Sequence, residues 1–155
     1  MTTRPFTAVR FDELELSPAP IRPEWVRSGS PHARLCEIAR SADGTSVTVG
    51  WDCTRGTFKW VFGVDETVHV VEGEVTVAQE GRPTVTLRPG DVAFFPSGTV
   101  TLWQVDSYVR KMAVCRHAMP RPLGFALRAY NKVLSLLTGQ APAGNGFAAP
   151  ARKAA

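Results

Sequence analysis

The sequence predicts an all-β fold, a barrel or jelly roll with an N-terminal arm and a C-terminal helix. Three observations carry this reading. Residues 33–117 form a series of short β-branched and aromatic runs, Gly, Pro and Asp punctuate them at roughly ten-residue intervals, and helical spacing begins only after Pro120.

Residues 1–32 contain five prolines, Pro5, Pro18, Pro20, Pro23 and Pro31. That density blocks long helices and suits an arm laid over a barrel. The clearest strand signal follows in Val47–Cys53, where odd positions are apolar and even positions are polar or glycine, the period of a half-buried strand. Further runs are Phe58–Phe62, Thr67–Val71, Glu74–Ala78, Thr84–Leu87, Val92–Phe95, Val100–Val105 and Tyr108–Cys115. Turns are expected at Gly63, Gly73, Gly81, Pro89-Gly90 and Pro96-Ser97-Gly98. Some eight to ten strands result, enough for a jelly roll. Strand Thr67–Val71 is apolar enough on both faces to expect cover on both sides.

After Pro120 and Pro122, residues Leu123, Leu127, Tyr130, Leu134 and Leu137 line one face of a helix over 120–138, with Arg128, Asn131, Lys132 and Ser135 opposite. Gly139 is its expected C-cap. The stretch 139–155 is mostly Ala, Gly and Pro without periodicity and is expected to be a disordered tail. The organisation is therefore an arm (1–32), a barrel (33–117), an amphipathic helix (120–138) and the tail.

Composition narrows the function classes. The 155 residues make one domain's worth of chain, and 44% hydrophobic with 21% charged residues allows a real core. The net charge of +4 is dispersed, with basic runs no longer than Arg110-Lys111 and Arg152-Lys153, so no nucleic-acid track is expected. Cys36, Cys53 and Cys115 include no C-x-x-C pair and read as reduced thiols of a cytoplasmic protein. Neither a secretory leader nor a membrane span is expected.

Two segments then carry a family resemblance. Glu66-Thr67-Val68-His69-Val70-Val71-Glu72-Gly73 places a glutamate seven positions before a turn glycine, and Gly90-Asp91-Val92-Ala93-Phe94-Phe95-Pro96-Ser97-Gly98 is a glycine followed after five residues by Pro-x-Gly. In this order they resemble the first and second motifs of the cupin family, which implies a cupin jelly-roll barrel. Trp51-Asp52-Cys53-Thr54, Gly56-Thr57-Phe58-Lys59-Trp60, Thr101-Leu102-Trp103-Gln104-Val105 and Arg110-Lys111 resemble the small single-domain cupins similar to one half of (S)-ureidoglycine aminohydrolase, a manganese enzyme. The resemblance covers roughly residues 45–116.

The resemblance also implies a metal shell of three histidines and a glutamate, and the chain departs from it. The histidine places six and four residues before the glutamate hold Trp60 and Phe62, and the place three residues after the Pro-x-Gly glycine holds Thr101. In the aminohydrolase the first two would be a glutamate and a histidine. Only Glu66 remains. His69 falls on the opposite strand face from Glu66, and His32 and His117 lie outside the barrel strands. No cofactor is therefore expected, with a divalent metal held weakly through Glu66 as the runner-up.

Alternation brings Glu66, Val68, Val70, Trp60, Phe62, Thr101 and Trp103 into the interior as a candidate ligand pocket, apolar around one carboxyl. An apolar setting disfavours a bare carboxylate, so Glu66, the one candidate catalytic residue, would act as a proton donor or neutral acid unless a cation neutralises it. Lys59 and Arg110 are the nearest cations in sequence, although Lys59 should face away. The first functional reading is a small-molecule-binding cupin without metal. The alternatives are a hydrolase or isomerase on a small nitrogenous or carbonyl compound, resembling the aminohydrolase, and an interaction module using the helix. The expected assembly is a homodimer, because jelly-roll edges need cover, and the helix is expected to pack on protein, not membrane.

Overall fold

The computed structural model describes residues 5–118 and 120–138. Gly139 and the tail 139–155 lie outside them. Among the described residues nine antiparallel strands form, in the order β1 (Ser17–Pro18), β2 (Val26–Gly29), β3 (Ala33–Arg40), β4 (Ser46–Val61), β5 (Asp65–Gly73), β6 (Val75–Ala78), β7 (Val85–Leu87), β8 (Val92–Phe95) and β9 (Val100–Arg116). The arm and barrel form one compact unit ending at Ala118, and helix α1 (Arg121–Thr138) belongs to a second.

The two long strands organise the barrel. The sequence divides each into two runs, but β4 is continuous over 16 residues and β9 over 17. Their pairing shifts register once, between Thr54 and Gly56. On one side of this bulge Ser46–Cys53 and Val109–Arg116 sit in a wall with β1, β3, β5 and β8. On the other side Gly56–Val61 and Val100–Val105 sit in a wall with β2, β6 and β7. A bulge bends a strand and adds twist, which lets one pair of strands serve both walls. Gly56 fits the bend because a Cβ there would meet the Pro31 ring at 2.8 Å. Gly73 closes β5 at φ +68, with the space a Cβ would need taken by the Tyr108 carbonyl oxygen.

Burial follows alternation along most strands, and the core residues Trp51, Cys53, Phe58, Phe62, Val68, Val70, Val75, Trp103, Val105 and Val109 come from both walls. Two expectations need correction. The run Val47–Cys53 is not half-buried: Gly50 and Asp52 are covered as well. Phe11 and Leu14 of the arm lie over Gly50, where a Cβ would come within 2.9 Å of Leu14. Conversely, the outer face of β5 lacks the expected cover, since Thr67 and Val71 are exposed.

The arm is more ordered than its prolines suggest. It makes short 3-10 turns at Phe11–Glu13 and Pro23–Trp25, β1 pairs with β3 and β2 with β4. Pro18 is tolerated because β1 is an edge strand. Ile21 is buried and Trp25 packs on the core.

Helix α1 starts with Pro122 in its first turn, where a missing N–H costs nothing, and the Leu123 and Gly124 amides donate to the Pro120 carbonyl. Phe125 and Leu136 fall on the side opposite the leucine stripe at 3.6 residues per turn, so its polar face is interrupted. Among the described residues no helix is long and apolar enough to cross a membrane.

Candidate functional site

The barrel interior is an aromatic cluster. Phe62 from the end of β4 stacks on Phe95 of β8 with centroids 4.3 Å apart and planes 3° from parallel. Trp103 lies 6.1 Å from Trp51 and 6.3 Å from Phe58, and Trp60 contacts Trp25, Trp51 and Phe58 edge-on at 5.7–6.0 Å. Such pairs contribute about 0.5–1.5 kcal/mol each beyond their burial. Of the residues named from the sequence, Phe62, Val68, Val70 and Trp103 are buried in this core and Trp60 packs against it. Thr101 is buried too, and its hydroxyl accepts from the Trp103 indole at 3.0 Å.

Glu66 points into the same interior, and its cation is neither Lys59 nor Arg110. Lys111 Nζ donates to Glu66 Oε1 at 2.5 Å, and both side chains are nearly removed from solvent, at 4% and 10% exposure. The ammonium also lies 5.0 Å from the ring centroids of Trp51 and Trp103, so two indole faces and one carboxylate surround it. Arg110 instead sits on the outer face, donating to the Phe11 carbonyl at 2.7 Å and covering the Phe11 ring. Lys59 pairs in register with the exposed Leu102, outside the barrel.

The interior places few metal-ligating side chains together. Glu66 is the one residue left from the shell the resemblance implies, and Lys111 already engages its carboxylate. Cys115, opposite Glu66 in the β5–β9 register, is pushed up to about 11 by burial and by the Glu66 charge. Among the described residues no group of three or more His, Cys, Asp or Glu side chains could hold an ion.

A second buried carboxylate, Asp52, is a structural tie that the alternation argument missed. It accepts from Arg34 Nε at 3.1 Å and from the Tyr108 hydroxyl at 2.8 Å, joining β3, β4 and β9. Burial and the Asp52 charge push the Tyr108 phenol up to about 12, and the same carboxylate raises Arg34.

Open space lies beside the ring cluster. A groove of about 580 Å³ is bounded by β6, β7 and β8, with Val77, Leu87, Ala93, Phe95 and the buried Thr101 among its walls. Gln79, Arg82 and Thr99 add polar groups, and no carboxylate lines it. Thr101 is the residue this groove shares with the pocket named from the sequence. Phe95 and Thr101 connect it to Trp103, through ring contact at 5.9 Å and the indole hydrogen bond.

Comparison with known proteins adds relatives to this geometry. Residues 40–113 match the model of the EutQ-like cupin domain. The chain is 34% identical over 88 residues to the acetate kinase EutQ of Salmonella typhimurium, a match covering 54% of this chain and 37% of that protein. A DUF861-family protein of unknown function from Pseudomonas syringae superposes with a TM-score of 0.62 at 25% identity, over 66% of this chain and 45% of that one. Clostridium difficile EutQ gives a TM-score of 0.57 at 18% identity, over 72% and 86%. The matched segment takes in β4 and most of β9 with the interior between them, so the chain has a cupin-type jelly-roll barrel, similar over these residues to the EutQ-like domain.

Proposed function

We propose that this chain is a metal-independent, small-molecule-binding cupin whose ligand enters the groove bounded by β6, β7 and β8. The groove is the observation that carries the reading. Its volume of about 580 Å³ and its apolar walls with a few polar groups match the usual anatomy of a small-molecule site. The ring cluster supports it from behind: Phe62 stacks on the wall residue Phe95, while Trp60, Phe62, Val68 and Val70 do not line the groove.

The test is a thermal-shift and tryptophan-fluorescence screen of metabolites. A ligand should raise the melting temperature and change Trp103 emission, and Val92→Trp, which puts bulk into the groove from an exposed position, should abolish both effects. Hits that survive Val92→Trp, or no hits at all, would contradict the reading.

The alternative of hydrolase or isomerase chemistry resembling ureidoglycine aminohydrolase asks Glu66 to exchange protons with substrate. The Lys111 contact at 2.5 Å speaks against it, because the carboxylate is already committed to an ammonium. The acetate kinase activity belongs to relatives of which this chain spans about 37%, and the groove reading does not depend on it. A homodimer is part of the proposal. The exposed outer face of β5 at Thr67 and Val71 supports it, and light scattering should return twice the monomer mass.

A further inference from the structure

The interior around Glu66 is a cation site that the protein fills with its own side chain. We propose that the Lys111 ammonium is the resident cation of this barrel and that its surroundings select an ammonium over a metal ion.

Three observations converge on one atom. Lys111 Nζ is 2.5 Å from Glu66 Oε1, 5.0 Å from the Trp51 centroid and 5.0 Å from the Trp103 centroid. A carboxylate with two indole faces is the environment that recognises an organic ammonium, since each face presents negative potential without a lone pair to donate to a metal. A divalent ion needs several N, O or S donors in fixed geometry, and the places where the resemblance puts imidazoles hold Trp60, Phe62 and Thr101. Burial makes the arrangement consequential. Lys111 is 4% exposed, so its ammonium has given up water and depends on these three partners. The charge enters the barrel on β9, tethered at the position that pairs with Trp51 on β4 and Val70 on β5.

The proposal is independent of the groove. It predicts that shortening Lys111 to alanine leaves a vacant ammonium site with Glu66, Trp51 and Trp103 in place. Thermal melts of Lys111→Ala should show a lowered melting temperature that millimolar propylammonium or butylammonium raises, with no such rise in wild type or in the double variant Glu66→Gln/Lys111→Ala. Manganese and zinc chlorides should give no comparable rise. Alkylammonium ions that fail to stabilise Lys111→Ala, that stabilise all three proteins equally, or that are outdone by a divalent metal would overturn the proposal.

Should Lys111→Ala not fold, wild-type protein supplies the test by NMR. Titrated Mn²⁺ should leave the indole N–H resonances of Trp51 and Trp103 unbroadened, and the Lys111 ammonium should show ring-current-shifted protons in slow exchange with water. Selective broadening of those two indoles, or an ammonium exchanging like a surface lysine, would equally overturn it.

Discussion

Lys111 is the residue on which the interior turns, and its energetics follow from burial. Removing one partner of a buried ion pair leaves the other charge stranded and costs about 3–5 kcal/mol, whereas replacing both by apolar groups of similar volume is often neutral. Glu66→Gln and Lys111→Met should each destabilise the fold by about 3–5 kcal/mol in urea melts, while Glu66→Leu/Lys111→Met recovers most of the loss. Additive losses in the double variant would show that the two side chains do not act as a pair. The sequence held a readable sign of this pair. Thr101, Trp103, Val105, Val109, Lys111 and Ala113 share one parity and are all buried along β9. Asp106-Ser107 looks like a turn between two strands, which hides the common phase, and a lysine is among the last residues expected inside a barrel. Asp52 was hidden for a related reason: it lies on the outward phase of β4, and its burial comes from Arg34 and Tyr108 on neighbouring strands, which no local pattern encodes.

At the scale of elements, the strands with strict alternation and flanking turns were legible, β5 through β8 among them. Strand β3 was not, because Ala33–Arg40 has no clean period and its pairing with β4 slips between Glu37 and Ala39. The two short arm strands were concealed by proline, which is compatible with pairing only where one edge is free. The helix was legible from its spacing of leucines, but Phe125 and Leu136 on its other side show that the face is less segregated than that spacing implies. Among the described residues the strand pairings lie between Ser17 and Arg116, and α1 belongs to a separate compact unit. Removing residues 119–155 should therefore leave the β-rich circular dichroism spectrum and change the melting temperature by no more than a few degrees. Loss of the cooperative transition in the truncated protein would show that the barrel needs the helix to fold.

For the whole molecule, the buried Cys53 and the half-buried Cys115 and Tyr108 give the stability a pH dependence. Burial first, with Asp52 adding to it, pushes Cys53 up to about 12 from 9.0, and Cys115 rises to about 11 from 9.0. Tyr108 rises from 10.0 to about 12. In each case the unfolded chain releases its proton first as pH rises, so over pH 9–12 the folded state binds more protons and stability falls with pH. The melting temperature should decline progressively across that window, and Cys53→Ala/Cys115→Ala should flatten its lower part. A flat profile up to pH 11 in wild type would contradict the burial of these groups. The candidate site was partly legible at this scale. Glu66, Thr101 and the rings around them could be named from spacing, but the groove could not, because its walls come from β6, β7 and β8, segments that no local pattern places together.

The proposal for the barrel interior is that Lys111 supplies its resident cation in place of a metal ion. Elemental analysis of purified wild-type protein and of Glu66→Ala tests it most directly. Neither protein should carry stoichiometric manganese, iron, nickel or zinc. A metal present at one equivalent in wild type and lost in Glu66→Ala would contradict it.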